Sequence, residues 1–361
     1  MKSFRAQDWA PLLRPYARPD LRYSLWQVTH TGLALVVLFS LAYRAAAFFL
    51  PLALAIDSVA ALFLVRLFIL QHDAGHGSLF PRRWMNEAFG FVSGVVTLVP
   101  YHSWKWQHAR HHATSGNLDK RGVGDILTWT VDEYLRASPW ARFKYRVYRN
   151  PWVMFFIGPI AVFMIAYRFP LGFGGEKPFI RKTVALTNLV IAFALGGAAL
   201  VWGAKALLWV YFPSLYLAGM IGIFLFYVQH QFEDAYWSRD PQWEYVRAAM
   251  EGSTYLKLPR PLQWVTGNIG FHHIHHLAPG IPNYRLEKVQ KEVPLVQVAP
   301  TVTLKDALFV AFADLHLFDE ATRKLIGFRD VAPRLKEGQA TAKQAKAGTG
   351  PNERKAKAHG A

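Results

Sequence analysis

The chain has no cysteine. That excludes disulfides, thiolate-bound metals and iron–sulfur clusters with cysteine ligands, and it leaves the compartment open. Charge is scarce too. Asp, Glu, Lys and Arg make up 18% of the 361 residues, against 52% hydrophobic, a balance that suits a membrane protein better than a soluble domain. Among the charges, acid is the scarcer sign, and the formal net charge is +17. No nucleic-acid module is recognisable, and the basic residues flank apolar runs, so the excess faces a membrane surface. Glu-x-x-His, the mark of soluble di-iron carboxylate bundles, is absent. So is His-Glu-x-x-His, the zinc-protease signature. Residues 1–28 hold four Arg, one Lys and three Pro but no apolar run closed by a small-residue cleavage site, so no signal peptide is expected there.

What is present begins with long apolar runs. A helix needs about 20 residues at 1.5 Å rise to cross roughly 30 Å of hydrocarbon. Residues 31–49, 51–70, 184–203 and 207–228 meet that length and are expected to cross. Pro51 marks the turn of a helical hairpin, Arg66 is placed to snorkel, and Asp57 is placed at the opposite interface. Residues 88–99 are too short to span and read as interfacial or re-entrant. Residues 152–167 carry Gly158-Pro159 and have basic residues on both flanks, from Arg142 to Arg149 before and from Arg168 to Lys182 after. They are expected to lie in the interface, both ends on the cytosolic side. The fold expected is all-α and integral to the membrane: four crossing helices, one or two interfacial segments and a cytosolic helical cap. Residues 1–30 form a cytosolic segment, 31–320 the membrane domain, and 336–361 a disordered basic tail.

Histidine is concentrated in three places: His72-Asp-Ala-Gly-His76, His108-Ala-Arg-His-His112 and His272-His-Ile-His-His276. The first is an i, i+4 pair. In the others, His108, His111 and His112, and His272, His275 and His276, repeat i, i+3, i+4, which puts three imidazoles on one helix face. Neutral imidazole binds iron, zinc and copper. Eight histidines are too many for one ion, since a structural zinc takes four ligands and a catalytic zinc three plus water. Two ions sharing them, each with an open position, fit better. Each cluster lies just outside an apolar run, so one site requires all three on one side of the bilayer. Among common metals, iron is the one that activates O₂ for attack on unactivated C–H bonds, with two outside electrons per turnover. His273 projects about 100° from its neighbours and is read as a non-ligand. His102, six residues before His108 and off its face, is read as interfacial, and His30, His316 and His359 lack partners in sequence.

These boxes resemble those of integral-membrane fatty acid desaturases, and the surrounding words resemble the bacterial acyl-lipid branch: Gln71-His-Asp-Ala-Gly-His-Gly-Ser78, Pro100-Tyr-His-Ser-Trp104, His111-His-Ala-Thr-Ser115, Gln229-His-Gln-Phe-Glu233, Gly267-Asn-Ile-Gly-Phe271 and Ile281-Pro-Asn-Tyr284. The likeness covers about residues 30–320. It implies O₂-dependent removal of two hydrogens from an acyl chain, lipid-linked or thioester-linked, giving a cis double bond. It implies two iron ions held by the eight box histidines, with His230 as a further ligand, and an electron donor such as ferredoxin or cytochrome b5. The implied site is the inner, cell membrane of a bacterium, with the iron centre on the cytosolic face. A carotenoid ketolase or hydroxylase, or an acyl hydroxylase, shares such a centre and is the nearest rival. A membrane metal-binding or transport protein is more distant, because transporters place polar groups near the midplane.

Asp73, Asp119, Glu233 and Asp234 are candidates to receive the second N–H of ligating imidazoles, with surface salt bridges as the alternative. Asn268, four residues before His272, either holds a metal-bound water or caps the helix. Lys105, Arg110, Lys120 and Arg121 are candidates to attract an acidic electron donor.

Overall fold

The computed structural model describes residues 6–169 and 177–336. The expected basic tail beyond residue 336, with His359, lies outside the described residues. Four helices are long and apolar enough to cross a membrane: Leu21–Ala46, Leu50–His76, Pro178–Trp202 and Ala204–His230. They are called the first to fourth spans below.

The first span begins ten residues before its apolar run, because Asp20 caps it by accepting from the backbone N–H of Arg22 at 2.8 Å. Pro51 sits in the first turn of the second span, where its missing N–H costs nothing. That span then runs uninterrupted past the apolar stretch to His76. It ends at Gly77, whose φ of +72° closes the helix in the left-handed region.

Two polar residues of the second span behave differently from expectation. Arg66 does not snorkel. It is 2% exposed, donates to Thr31 Oγ1 at 3.2 Å, to Gln27 Oε1 at 3.1 Å and to the Trp264 carbonyl, and stacks over the Trp264 ring at 4.2 Å. Enough acceptors lie inside the protein that the guanidinium need not reach for water. Asp57 does not face water either. It is fully buried, and its Oδ1 accepts from Ser214 Oγ of the fourth span at 3.1 Å.

The stretch 88–99 belongs to a helix, Arg83–Val96. Its last carbonyls face apolar neighbours (Leu35, Leu64 and Leu215 belong to the same core), where an unmet polar group is costly. Tyr211 Oη donates to the Val96 carbonyl at 2.7 Å, and the Arg168 guanidinium donates to that of Leu98. The apolar stretch after residue 150 does not continue the helix before it in a straight line. Pro139–Arg149 and Val153–Arg168 meet at 65°.

The cap over the bundle is mostly short helices. Two small sheets, which the sequence did not announce, tie distant parts together. Trp129–Thr130 pairs in parallel with Leu317–Asp319, which pairs antiparallel with Lys324–Ile326. Tyr255–Lys257 pairs in parallel with Thr301–Thr303. The N-terminal helix Ala6–Leu13 is part of the cap: Trp9 and Leu13 pack in one core with Phe271, Ile274 and Leu277 of the third box.

Candidate metal centre

The histidines arrive on four supports. His72 and His76 lie on the last turns of the second span. His108, His111 and His112 lie on the helix Tyr101–Thr114. His230 is the last residue of the fourth span. His272, His275 and His276 lie on the short helix His272–Leu277. Nine donor nitrogens gather into two sets, each with its atoms within 4.8 Å of one another: His72, His76, His108, His112 and His275, and His111, His230, His272 and His276. Sequence neighbours are divided between the sets, His111 from His112 and His275 from His276. The sets adjoin where the His112 and His276 rings stack at 4.2 Å.

The geometry fits metal ions. Ligands about 2.1 Å from one ion stand roughly 3.0–3.4 Å apart. In the four-histidine set, Nε2 of His111 is 3.2 Å from those of His230 and His276, and Nε2 of His272 is 2.9 Å from that of His230 and 3.1 Å from that of His276. In the other set, Nε2 of His112 is 3.0 Å from that of His108 and 2.9 Å from that of His275. The donor chemistry agrees. Nδ1 of His111 faces the Asp125 carboxylate, and Nδ1 of His230 faces the Gly252 carbonyl at 3.1 Å. Both Nδ1 atoms must donate, so both Nε2 atoms present bare lone pairs to each other. Such lone pairs repel unless a cation lies between them. Nε2 of His76 is buried within the five-histidine set with no hydrogen-bond partner.

Five of the rings are held neutral by their surroundings. Burial, followed by the charge each neighbouring imidazole would add, holds His108, His112, His272, His275 and His276 well below the ordinary histidine range. Their lone pairs are therefore available at neutral pH, as metal binding requires.

The family-like words now have physical roles. Asp73 Oδ2 accepts from both the backbone N–H and the side-chain amide of Asn283 at 2.8 Å, pinning the Ile-Pro-Asn-Tyr turn to the first box. Tyr101 Oη donates to the Ala74 carbonyl at 2.9 Å. Gln229 Nε2 donates to the Ile269 carbonyl at 2.9 Å, joining the fourth span to the loop before the third box. Gly75 is required by Trp104: a Cβ there would stand 2.9 Å from the indole, which itself stacks on His108 at 4.7 Å. Gly75→Val is expected to push Trp104 off His108, destabilise by roughly 1–3 kcal/mol and lower metal retention. Thermal unfolding with metal analysis checks this.

Several expected neighbours lie elsewhere. Asp119 does not meet an imidazole; it accepts from Arg239 at 2.7 Å and from the Asp240 backbone N–H at 2.9 Å. Glu233 and Asp234 pair with Lys324 at 2.7 and 3.3 Å. All three carboxylates follow their boxes in loops that turn to the surface, where water and cations are nearer than the rings. Asp73 approaches His72 Nδ1 only to 3.6 Å, beyond hydrogen-bond reach. Asn268 is on no helix face. Its φ is +57°, the helix starts at His272, and its amide donates to the Asn283 carbonyl at 3.1 Å. His273 turns away to Gln290 Oε1 at 3.1 Å, and His102 faces Glu87 at 3.2 Å. Three of the four cations offered as a donor patch are already paired: Lys105 with Glu87, Lys120 with Asp240 and Arg121 with Glu133. Sequence reasoning missed Asp125. Its signal was the Gly122-Val-Gly-Asp125 loop, where glycines let a carboxylate return to the second-box helix.

Residues 47–300 match the family described as fatty acid desaturase. A fatty acid desaturase of Bacillus subtilis (strain 168) is 44% identical over 317 residues, 88% of this chain and 89% of that protein. An sn-1 oleoyl-lipid 12-desaturase of Synechocystis is 25% identical over 61% of this chain and 62% of its own. An sn-1 acyl-lipid omega-3 desaturase (ferredoxin) of Nostoc sp. (strain 36) is 28% identical over 63% of each. Four apolar spans, three histidine boxes converging on one end of them and the match over most of the chain lead to one conclusion: this protein belongs to the fatty acid desaturase family and is an oxidoreductase.

Proposed function

We propose that the protein introduces a cis double bond into the acyl chain of a membrane lipid, using O₂ and two electrons from a carrier of the ferredoxin or cytochrome b5 kind. The balance is one –CH₂–CH₂– unit, O₂, two electrons and two protons in, and one –CH=CH– unit and two waters out. The observation that carries this reading is the division of nine histidines, seven buried and two half-buried, into two adjoining sets at one end of the spans. Two iron ions held there, one by each set, would supply the O₂ activation needed to break unactivated C–H bonds.

The chain's own groups do the rest. The nine imidazoles aim ring nitrogens inward, into the two sets. Phe226, 5.1 Å from His111 and 5.4 Å from His230, and Trp104 on His108 close the apolar side of the centre and keep bulk water from it. The spans beneath supply an apolar medium for a chain lying against them, and its fixed position there would select the carbon attacked. Orientation follows the distribution of basic residues. Among the described residues, the far turns, between first and second and between third and fourth spans, hold only Arg44 and Lys205 nearby, whereas Arg82, Arg83, Lys105, Arg110 and Lys177 lie beside the first two boxes at the histidine end. The histidine end is therefore assigned to the cytosol, and the membrane is proposed to be a bacterial inner membrane by analogy with the Bacillus relative.

Gas chromatography of total fatty acids from an expressing host tests the proposal. A new monoenoic or dienoic acid is expected, absent from a host expressing His272→Ala. A hydroxy acid or an altered pigment in its place would transfer the protein to a related oxygenase reaction.

A further inference from the structure

Resting on the reading of the two histidine sets as ion sites, we infer that Asp125 is a positioning residue for the four-histidine set, aiming His111 at its ion from behind. Among the described ligands, His111 is the one whose Nδ1 meets a carboxylate within hydrogen-bond distance. The contrast within the centre is direct: Nδ1 of His72, His112 and His272 are all buried without a hydrogen-bond partner. A ring without such a partner is free to swing about χ2 and to exchange tautomers. A ring whose Nδ1–H is held by a carboxylate keeps its Nε2 lone pair in one direction and donates more strongly to a cation.

The surrounding structure is shaped to put Asp125 there. Gly124 has φ +76°, and a Cβ on it would stand 2.7 Å from the Gln107 carbonyl and 3.1 Å from Cβ of His111. The loop therefore lies directly on the second-box helix, closer than any side chain permits. The Asp125 side chain is 7% exposed. Its second oxygen, Oδ2, is buried with no protein partner. A small void of about 10 Å³ is lined by His111, Asp125, His230, Gln231 and Gly252, room for about one water. A buried carboxylate with one oxygen on a ligand and the other without a protein partner is poorly explained as a fold staple. Salt bridges elsewhere in the cap join two protein groups at each end. Here one end serves the ligand alone.

The test uses the purified full-length protein in detergent, loaded anaerobically with iron(II) and then challenged with a graded series of EDTA. Wild type is expected to retain two iron equivalents per chain at low chelator. Asp125→Asn is expected to release one of the two at roughly 10–100-fold lower chelator concentration, while Asp125→Glu, which keeps the carboxylate, recovers part of the difference. The unfolding temperature of the metal-free protein should be the same for wild type and Asp125→Asn. Equal retention of both ions by Asp125→Asn and wild type would overturn the inference. So would a metal-free Asp125→Asn protein that melts lower in proportion to its iron loss, because Asp125 would then hold the fold rather than the ligand. Wild type that binds no iron would instead overturn the reading of the histidine sets themselves.

Discussion

His275→Ala and His276→Ala should each leave a protein that binds one metal ion where the wild type binds two, and each should make no detectable product. These neighbours in sequence belong to different sets: His275 points to His112, with Nε2 atoms 2.9 Å apart, and His276 to His272, at 3.1 Å. Loss of an outer partner of a ligand typically costs about 10–100-fold in affinity or activity, so loss of the ligand itself should exceed about 100-fold. His273→Ala is the control. Its imidazole lies against Gln290 rather than in either set, so both ions should remain, with a change in stability alone. Metal analysis per chain, alongside fatty acid profiles of expressing cells, reads all three. Two ions retained in either His275→Ala or His276→Ala would mean that the sets are not the ion sites.

Arg149→Met is expected to have the largest effect on stability. Arg149 is 1% exposed. It donates to the Leu127 carbonyl at 3.3 Å, Thr128 Oγ1 at 3.2 Å, Gln231 Oε1 at 2.8 Å and the Leu315 carbonyl at 2.9 Å, and lies 5.7 Å from the Tyr227 ring centroid. One guanidinium thus joins the loop after the second box, the end of the fourth span beside His230, and the C-terminal sheet region. Methionine fills much of the volume but leaves four buried acceptors unmet. Each buried acceptor left unmet costs about 1–3 kcal/mol, so a loss of several kcal/mol and an unfolding temperature lower by on the order of 10 °C follow. Arg149→Lys should fall between, because a single ammonium cannot reach a fork of acceptors. Thermal melts of the three proteins in one detergent decide the order. If Arg149→Met melts with the wild type, the network is not what holds these segments together.

Arg149 also shows where reading along the chain stops. As one of four basic residues before an apolar run, it served as a topology marker, and nothing local distinguishes it from Arg142 or Arg146. Burial and partners more than 80 residues away make the difference. The same holds for Arg66 and Asp57, placed at interfaces by their position along a span and found inside by packing against other helices. Asp119 and Glu233 were chosen for nearness to histidines in sequence. A loop separates nearness in sequence from nearness in space, and Asp125 profited from that separation.

The spans and the histidine boxes were legible because their signals are local. A run of about 20 apolar residues declares a crossing helix without reference to anything else. Imidazoles at i, i+3 and i+4 share a face wherever the helix goes. From these alone came four membrane helices, a metal-binding end and a family. The partition of the eight box histidines, with His230, into a five-histidine and a four-histidine set was decided only by tertiary structure. Adjacent residues on one helix point about 100° apart, so His111 and His112, like His275 and His276, must face different neighbours. Which neighbours they face depends on how four separate supports are docked, and those contacts span most of the chain.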